Sequence, residues 1–252
     1  MGGNLVRHLA ALAGVALLLV GCLDSKAVLT VNPDGSGTLE HTLYVKQQKE
    51  QGAKELTLDE MKANCEKTAS SLGEGVKVAS VSAAEARAGW KGFKILYTFA
   101  DVAKVKVGYL PAMGDMKTEA KDLMSFEFKG GAQPVLTIVR PPLSVGDDKE
   151  GQKEDDDPQI AAAFEGAKIE FEVRVKGTIT KTNAENVTAD KAGVVLLRED
   201  IGGLLKDKQA LAIAKALGKI KDAQALRAKL KDTALAKYVQ MEPEPIVTIE
   251  FK

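Results

Sequence analysis

The chain has 252 residues, of which 45% are hydrophobic and 28% charged, and its 35 basic and 35 acidic residues cancel. This balance is typical of a globular protein and argues against a disordered chain and against a nucleic-acid-binding protein. Two cysteines and two histidines are too few for a multi-cysteine zinc site or a disulfide framework. We therefore expect no metal and no cofactor.

Residues 1–21 have the pattern of an export signal. They contain Arg7 and no acid, followed by an apolar run over residues 9–20. This run is shorter than the ~20 residues that a transmembrane helix needs. Residues 19–22, Leu-Val-Gly-Cys, resemble a bacterial lipobox. That resemblance implies a lipoprotein signal peptide over residues 1–21 and acylation of Cys22, the one lipidation site that we predict.

The predicted compartment follows from this signal. An acylated Cys22 would anchor the protein to a membrane of the cell envelope, on the periplasmic side. Leu23 at the next position favours the outer membrane over the inner one. Two alternatives remain open: a secretory signal that ends near a cysteine by chance, and an uncleaved anchor. The remaining cysteine, Cys65, is expected to be a buried, inert thiol on a helix.

Residues 22–143 are predicted to form the first half of an α+β domain. After a short tether at Asp24 and Ser25, alternating apolar and polar residues on both sides of residues 32–37 indicate a β-hairpin. Thr57 and Glu60 match a capping box at the start of an amphipathic helix. Period-two patterns then predict further strands, over residues 76–81, 93–99, 126–129 and 135–139.

An acidic linker is predicted over residues 144–159, because seven acids crowd residues 147–157. Residues 160–252 would form the second half of the domain. Its predicted elements are strands over residues 167–176, 178–182 and 194–197, two basic helices within residues 203–238, and a closing strand over residues 246–251.

The resulting fold class is α+β: a mainly antiparallel sheet with an amphipathic helix on one face, two C-terminal helices and a closing C-terminal strand. The alternation of the closing strand suggests that it returns to the main sheet. We therefore favour one composite domain with an acidic excursion over two independent domains.

Two segments of the second half support a resemblance to uncharacterised bacterial envelope lipoproteins. They are FEGAKIEFEVRVKGTITKTNA over residues 164–184 and LLREDIGGLL over residues 196–205. The layout is also similar to that of mycobacterial lipoproteins of the LppM type, whose soluble domain is an α+β fold associated with envelope lipid binding. The resemblance implies a lipid-related role, and the only functional residue that it transfers is Cys22.

The mature chain offers little catalytic chemistry. Its single histidine, His41, falls on the same face of the predicted hairpin as Leu39 and Leu43, which indicates a partly buried sheet residue. Residues 32–43 resemble a calcium-binding loop, but Leu43 occupies the position that needs a bidentate Glu. We expect a glycine-rich turn there, no catalytic residues and no enzymatic activity.

The basic helices allow two interpretations, since residues 203–240 carry nine basic residues and three acids. Their Leu/Ala stripe could pack on the sheet, or the helices could lie on anionic lipid. The expected function is a non-enzymatic envelope lipoprotein that binds lipid or another hydrophobic envelope ligand; its ligand-binding residues are not predicted. The alternatives are an interaction or scaffold module for an envelope protein and an acid-only hydrolase of wall glycans.

Overall fold

A computed structural model describes residues 23–46, 57–109, 120–141, 164–217, 230 and 233–252. The predicted signal peptide, Cys22 and the predicted acidic linker lie outside these residues. Within them the protein is α+β, with strands dominating and arranged in two sheets. None of the helices described is long and apolar enough to cross a membrane.

The described part of the chain contains twelve strands and three α-helices. The strands are β1 (Leu23–Val31), β2 (Gly37–Lys46), β3 (Lys77–Ala83), β4 (Trp90–Phe99), β5 (Lys106–Val107), β6 (Met124–Lys129), β7 (Val135–Val139), β8 (Lys168–Val175), β9 (Ile179–Thr182), β10 (Gly193–Asp200), β11 (Val239–Met241) and β12 (Ile246–Phe251). The helices are α1 (Leu58–Ala69), α2 (Ile201–Lys206) and α3 (Lys208–Leu217).

The larger sheet has seven strands in the order β11-β10-β8-β1-β2-β4-β3. Neighbouring strands are antiparallel except for β1 and β8, which run parallel. In this register Ala27 lies opposite His41 on one side and Phe171 on the other. The N-terminal hairpin is thus confirmed, and its first strand lies in the middle of the sheet.

The smaller sheet has five strands in the order β5-β6-β7-β12-β9. The hairpin formed by β6 and β7 is confirmed. The predicted return of the closing strand to the main sheet is wrong, because β12 lies between β7 and β9. Strand β9 pairs with β12 and so does not join the larger sheet that holds β10. The alternation of polar and apolar residues determines which face of a strand is buried, but it does not determine which strand pairs with it.

Both sheets contribute to a single hydrophobic cluster. Its largest fully buried side chains include Phe93 and Phe171 from the larger sheet and Phe251 from the smaller one. The predicted alternation of β8 is confirmed, with Ile169, Phe171, Val173 and Val175 buried. The polar face of β8 departs from this alternation at one residue, Glu172, which is also buried.

Helix α1 packs against β3 and β4. It begins as predicted, because the Thr57 side chain accepts a hydrogen bond from the Glu60 backbone while the Glu60 carboxylate accepts one from the Thr57 backbone. Met61, Cys65 and Ala69 are its buried residues. Spaced four apart, they form a stripe on the side of the helix that meets the sheet.

The first predicted basic helix does not run unbroken over residues 203–217, because it is interrupted at Asp207. A first helix ends at Lys206, and Asp207 caps the next by accepting hydrogen bonds from the backbone of Gln209 and Ala210. Ala234–Lys237 form a 3-10 turn. Ala210 and Ala214 are buried in a second, small cluster with Leu204 and Leu235. In these residues the apolar stripe packs inward, while residues 218–229 lie outside the description.

Candidate functional site

The chain enters the larger sheet one residue after Cys22. Strand β1 begins at Leu23, opposite Val45, and Asp24 lies opposite Tyr44. The predicted tether at Asp24 and Ser25 is therefore wrong: Asp24 is paired within the sheet and Ser25 is buried. Cys22 itself lies outside the described residues, but the sequence allows no spacer between it and the sheet.

Arg87 joins the start of β1 to the start of β4. Its guanidinium donates a hydrogen bond to the Asp24 carboxylate at 2.5 Å. The guanidinium carbon also lies 4.4 Å from the centre of the Trp90 ring and 5.7 Å from that of the Tyr44 ring. A cation over aromatic rings is stabilised by their negative faces. Asp24, Tyr44, Arg87 and Trp90 therefore form one group, which we call the rim cluster.

The rim cluster is held from a third side by the turn before β8. A methyl group placed on Gly166 would lie 3.2 Å from the Trp90 ring and 3.3 Å from the Arg87 guanidinium. The backbone at Gly166 thus packs against both side chains. Trp90, the single tryptophan of the chain, remains partly exposed.

A shallow cleft of about 390 Å³ opens beside the rim cluster. It is lined by the first residues of α1, by residues 83–86 and by the first four residues of β4. Leu58 on its wall is 42% exposed, and among the described residues Ile246 is the other large hydrophobic side chain that is exposed. The lining therefore combines three alanines, a glycine, Leu58, Phe93 and Trp90 with Thr57 and the charged side chains of Glu85 and Lys91.

This cleft is close to the beginning of β1. Leu23 lies opposite Val45, and Val45 lies opposite Lys91 in the cleft wall. Because neighbouring strands are about 4.8 Å apart, the start of β1 is about 10 Å from Lys91. The cleft, the rim cluster and the position that follows Cys22 share one end of the larger sheet.

His41, the predicted sheet histidine, is confirmed on the inner face and is more deeply buried than expected, at 2% exposure. Burial lowers the pKa of His41 to about 4. Its ring packs edge-on against Tyr97 at 5.8 Å, and Nε2 has no hydrogen-bond partner. A neutral imidazole enclosed in this way cannot exchange protons with a substrate in solution.

Glu199 is a second buried titratable group, which the sequence analysis missed. It lies on β10 between Ile169 and Val239, and burial raises its pKa to about 7. Its Oε2 atom has no hydrogen-bond partner. The only sequence signal was the break in alternation where Leu196 and Leu197 precede it, at a bulge in the strand.

Cys65 lies on α1 and is buried, as predicted. Burial raises its pKa, although a hydrogen bond from the Tyr97 hydroxyl opposes the shift. A thiol that stays protonated is a weak nucleophile. Cys65 and His41 thus both lie in the core, in states that do not suit a Cys/His mechanism.

The loop that resembles a calcium site is a tight turn. The Asp34 carboxylate accepts hydrogen bonds from the Ser36 backbone at 3.0 Å and from the Ser36 hydroxyl at 2.6 Å. These bonds lower the pKa of Asp34. Asn32 donates to the same hydroxyl at 2.8 Å. The polar side chains hold one another, and the predicted glycine-rich turn is confirmed.

The outer face of the larger sheet carries paired charges. Glu170 accepts from Lys26 at 2.9 Å and from Arg198 at 3.1 Å across three strands. Partial burial opposes ionisation of Glu170, but these two cations lower its pKa. Exposed pairs of this kind add about 0–1 kcal/mol each. This face is a solvated surface.

A buried polar network joins the last connection of the chain to the smaller sheet. Arg140 donates hydrogen bonds to the Tyr109 hydroxyl at 2.7 Å and to the backbone carbonyls of Glu242 and Glu244. Residues 242–245 belong to none of the elements predicted from the sequence. The sequence Glu-Pro-Glu-Pro over residues 242–245 was the available signal, and nothing in it indicated the partners.

No protein-family model matches the chain, and no curated protein is found as a relative. Among solved structures, the folded domain of LppM from Mycobacterium tuberculosis is similar over 70% of this chain and 81% of that chain, with 17% identity and a TM-score of 0.32. An M1 zinc metallopeptidase from Deinococcus radiodurans is similar over 69% of this chain and 38% of that chain, with 12% identity and a TM-score of 0.26. The predicted resemblance to LppM is thus found as a distant structural similarity.

Proposed function

We propose that this protein is a bacterial envelope lipoprotein, anchored through an acylated Cys22, whose folded domain binds an apolar ligand at the membrane without catalysing a reaction. The anchor is inferred from the apolar run and the Leu-Val-Gly-Cys sequence at residues 19–22. The binding surface is the cleft beside the rim cluster.

The observation that carries the proposal is the start of β1 at Leu23. Cleavage before Cys22 would remove only residues that precede every strand and helix described. An acylated Cys22 would then hold the domain directly at the lipid surface, because the next residue is already part of the sheet. Acyl chains contribute ~0.8 kcal/mol per buried methylene, so several chains on one cysteine hold a domain firmly.

A binding role suits the side chains better than a catalytic one. The single histidine of the mature chain is enclosed and poorly basic, and the Cys65 thiol is buried. Among the described residues, no group of three His, Cys, Asp or Glu side chains could hold a metal ion. The exposed Leu58 and the partly exposed Trp90 instead offer apolar contact area at an open cleft.

The anchor is tested by metabolic labelling with palmitate. The parent protein should incorporate label and be cut before residue 22, whereas Cys22→Ser should remain unlabelled and unprocessed. Cys65→Ser is the matched control, and it should be labelled like the parent. An unlabelled parent protein, or a Cys22→Ser variant that is processed normally, contradicts the proposal.

The ligand is tested by native mass spectrometry of the acyl-free protein purified from envelope extracts. A lipid-sized mass should accompany the parent protein and be lost in Leu58→Asp. Ile246→Asp is the control, because Ile246 is the other large apolar side chain identified as exposed, at 51%. If Leu58→Asp retains the ligand, the binding site is not the cleft.

An interaction module is the second candidate, favoured by the edge strand β3. Within the described residues it pairs only with β4, and its sequence KVASVSA has a single charge. An edge of this kind can accept a strand from a partner protein. A photo-crosslinker at Ser82 should then capture one protein of defined mass in cells, and a crosslinker at Glu127 on β6 should not.

A further inference from the structure

We infer that the end of the larger sheet that carries the rim cluster lies against the bilayer, with Trp90 and Leu58 in its interfacial region, so that the cleft opens toward lipid. This inference rests on the proposed function. It adds an orientation and a contact surface, which acylation of Cys22 alone does not determine.

The first support is that no linker separates Cys22 from the first strand. Cys22 precedes the first strand residue directly, and Asp24 is held both by its register with Tyr44 and by the 2.5 Å bond to Arg87. One extended residue spans about 3.3 Å. A lipid group on Cys22 would therefore keep the start of β1 within a few ångströms of the headgroups. A domain on a long linker would be free to turn, whereas a direct connection of this kind would restrict its orientation.

The second support is the chemistry of the side chains at that end. Trp90 and Tyr44 are aromatic residues with a polar atom, and such side chains favour the membrane interface. Arg87 lies over both rings and can present its remaining N–H groups to phosphate oxygens. Leu58 adds an exposed aliphatic group on the wall of the neighbouring cleft.

The third support is the position of the solvated surface. The Lys26, Glu170 and Arg198 ladder lies on the outer face of the sheet, two to three residues along the strands from the end that carries the rim cluster. Its side chains remain paired and in water when the strands stand upright on the membrane. Laying this outer face on the bilayer would instead require these paired charges to exchange water for contacts with lipid.

The experiment uses the single tryptophan as a reporter. The chain from residue 22 onward, which contains every described element, is coupled through the Cys22 thiol to a maleimide lipid. The coupled protein is inserted into vesicles of phosphatidylethanolamine and phosphatidylglycerol. These vesicles also contain lipids that are brominated in the upper acyl chain. The buried Cys65 does not compete for the reagent. Bromine quenches only a fluorophore in contact with lipid, so Trp90 emission should fall and shift to shorter wavelength.

Two matched variants move the reporter. In a Trp90→Phe background, Leu58→Trp should be quenched like the parent protein, whereas Ile246→Trp in β12 should not. Trp90 emission that matches Cys22→Ser protein free in solution, while the coupled protein sediments with the vesicles, overturns the inference. Equal quenching at positions 58 and 246 also overturns it, since it would indicate no preferred orientation.

Chemical coupling separates this outcome from the proposed function. Palmitate labelling in cells decides whether Cys22 is acylated, and the quenching experiment decides which surface faces lipid when the protein is tethered there. If the protein is labelled but Trp90 is not quenched, the lipoprotein proposal stands and the proposed orientation is wrong. An unlabelled protein removes the lipoprotein proposal, whatever the quenching shows.

Discussion

The carboxylate of Glu242 accepts a hydrogen bond from the backbone of Asn186 at 2.9 Å, although the two residues belong to distant parts of the chain. The backbone N–H groups of Glu185 and Glu244 donate to the same carboxylate. Glu242 has no exposed surface. The connection between β11 and β12 is thereby fixed to the turn after β9, and the two sheets are joined at that point.

Replacing Glu242 should therefore destabilise the fold strongly. Glu242→Ala removes the acceptor of three backbone donors, and hydrogen bonds to a charged group contribute about 1.5–3 kcal/mol. We expect a loss of about 2–4 kcal/mol in the free energy of unfolding, measured by urea denaturation. Glu127→Ala on an exposed position of β6 is the control and should change stability little. If Glu242→Ala loses no more stability than Glu127→Ala, water replaces the carboxylate as the acceptor of these hydrogen bonds.

His41 should make the protein less stable in mild acid. Its pKa is about 4 in the folded protein and about 6.5 when unfolded, so the unfolded chain binds the extra proton between these values. Stability falls as the pH drops from 6.5 toward 4, by up to about 3 kcal/mol. His41→Leu should flatten this part of the stability curve, as measured by denaturant titration at each pH. An unchanged slope would show that the ring is hydrated.

Glu199 should have the opposite pH dependence. Burial raises its folded pKa to about 7, above the ordinary value of 4.5, so the folded protein holds the proton in this window. Its contribution to stability is complete below pH 4.5 and is lost as the pH rises through 7, by up to about 3 kcal/mol. Glu199→Gln should gain stability relative to the parent at pH 8 and not at pH 4. Parallel curves for the two proteins would contradict the assignment.

Gly35 couples the first turn to the smaller sheet. Its φ is +85°, and an added Cβ would lie 2.7 Å from the Phe128 ring on β6. Gly75 is the matched control, with φ +80° and nothing within 4 Å. Gly75→Ala should cost about 1–2 kcal/mol from the backbone alone. Gly35→Ala should cost about 1–3 kcal/mol more, because the ring must move. Equal losses in thermal unfolding would show that Phe128 adapts freely.

Local elements of this fold could be predicted where the signal itself is local. The Thr57 and Glu60 capping box, the turn at Asp34 and the alternation of β8 each depend on residues close together in the sequence. Their physical causes act within one helical turn or one hairpin. The prediction from these patterns was correct in each case.

The pairing of distant strands could not be predicted in the same way. Nothing in the alternation of β12 distinguishes a neighbour in the larger sheet from β7 in the smaller one. The error at Asp24 has a similar origin: two polar residues after a signal look like a tether, yet Arg87 supplies a partner from another strand. Helices α2 and α3 were merged because the pattern of leucine and alanine continues through the cap at Asp207.

The central position of β1 also constrains the order of assembly. A chain is made from its N-terminus, so β1 and β2 exist long before β8, the parallel neighbour that completes the middle of the sheet. Until then the other side of β1 is an open strand edge that can pair wrongly or aggregate. The pairing of β8 with β1 is therefore the step that closes the middle of the larger sheet.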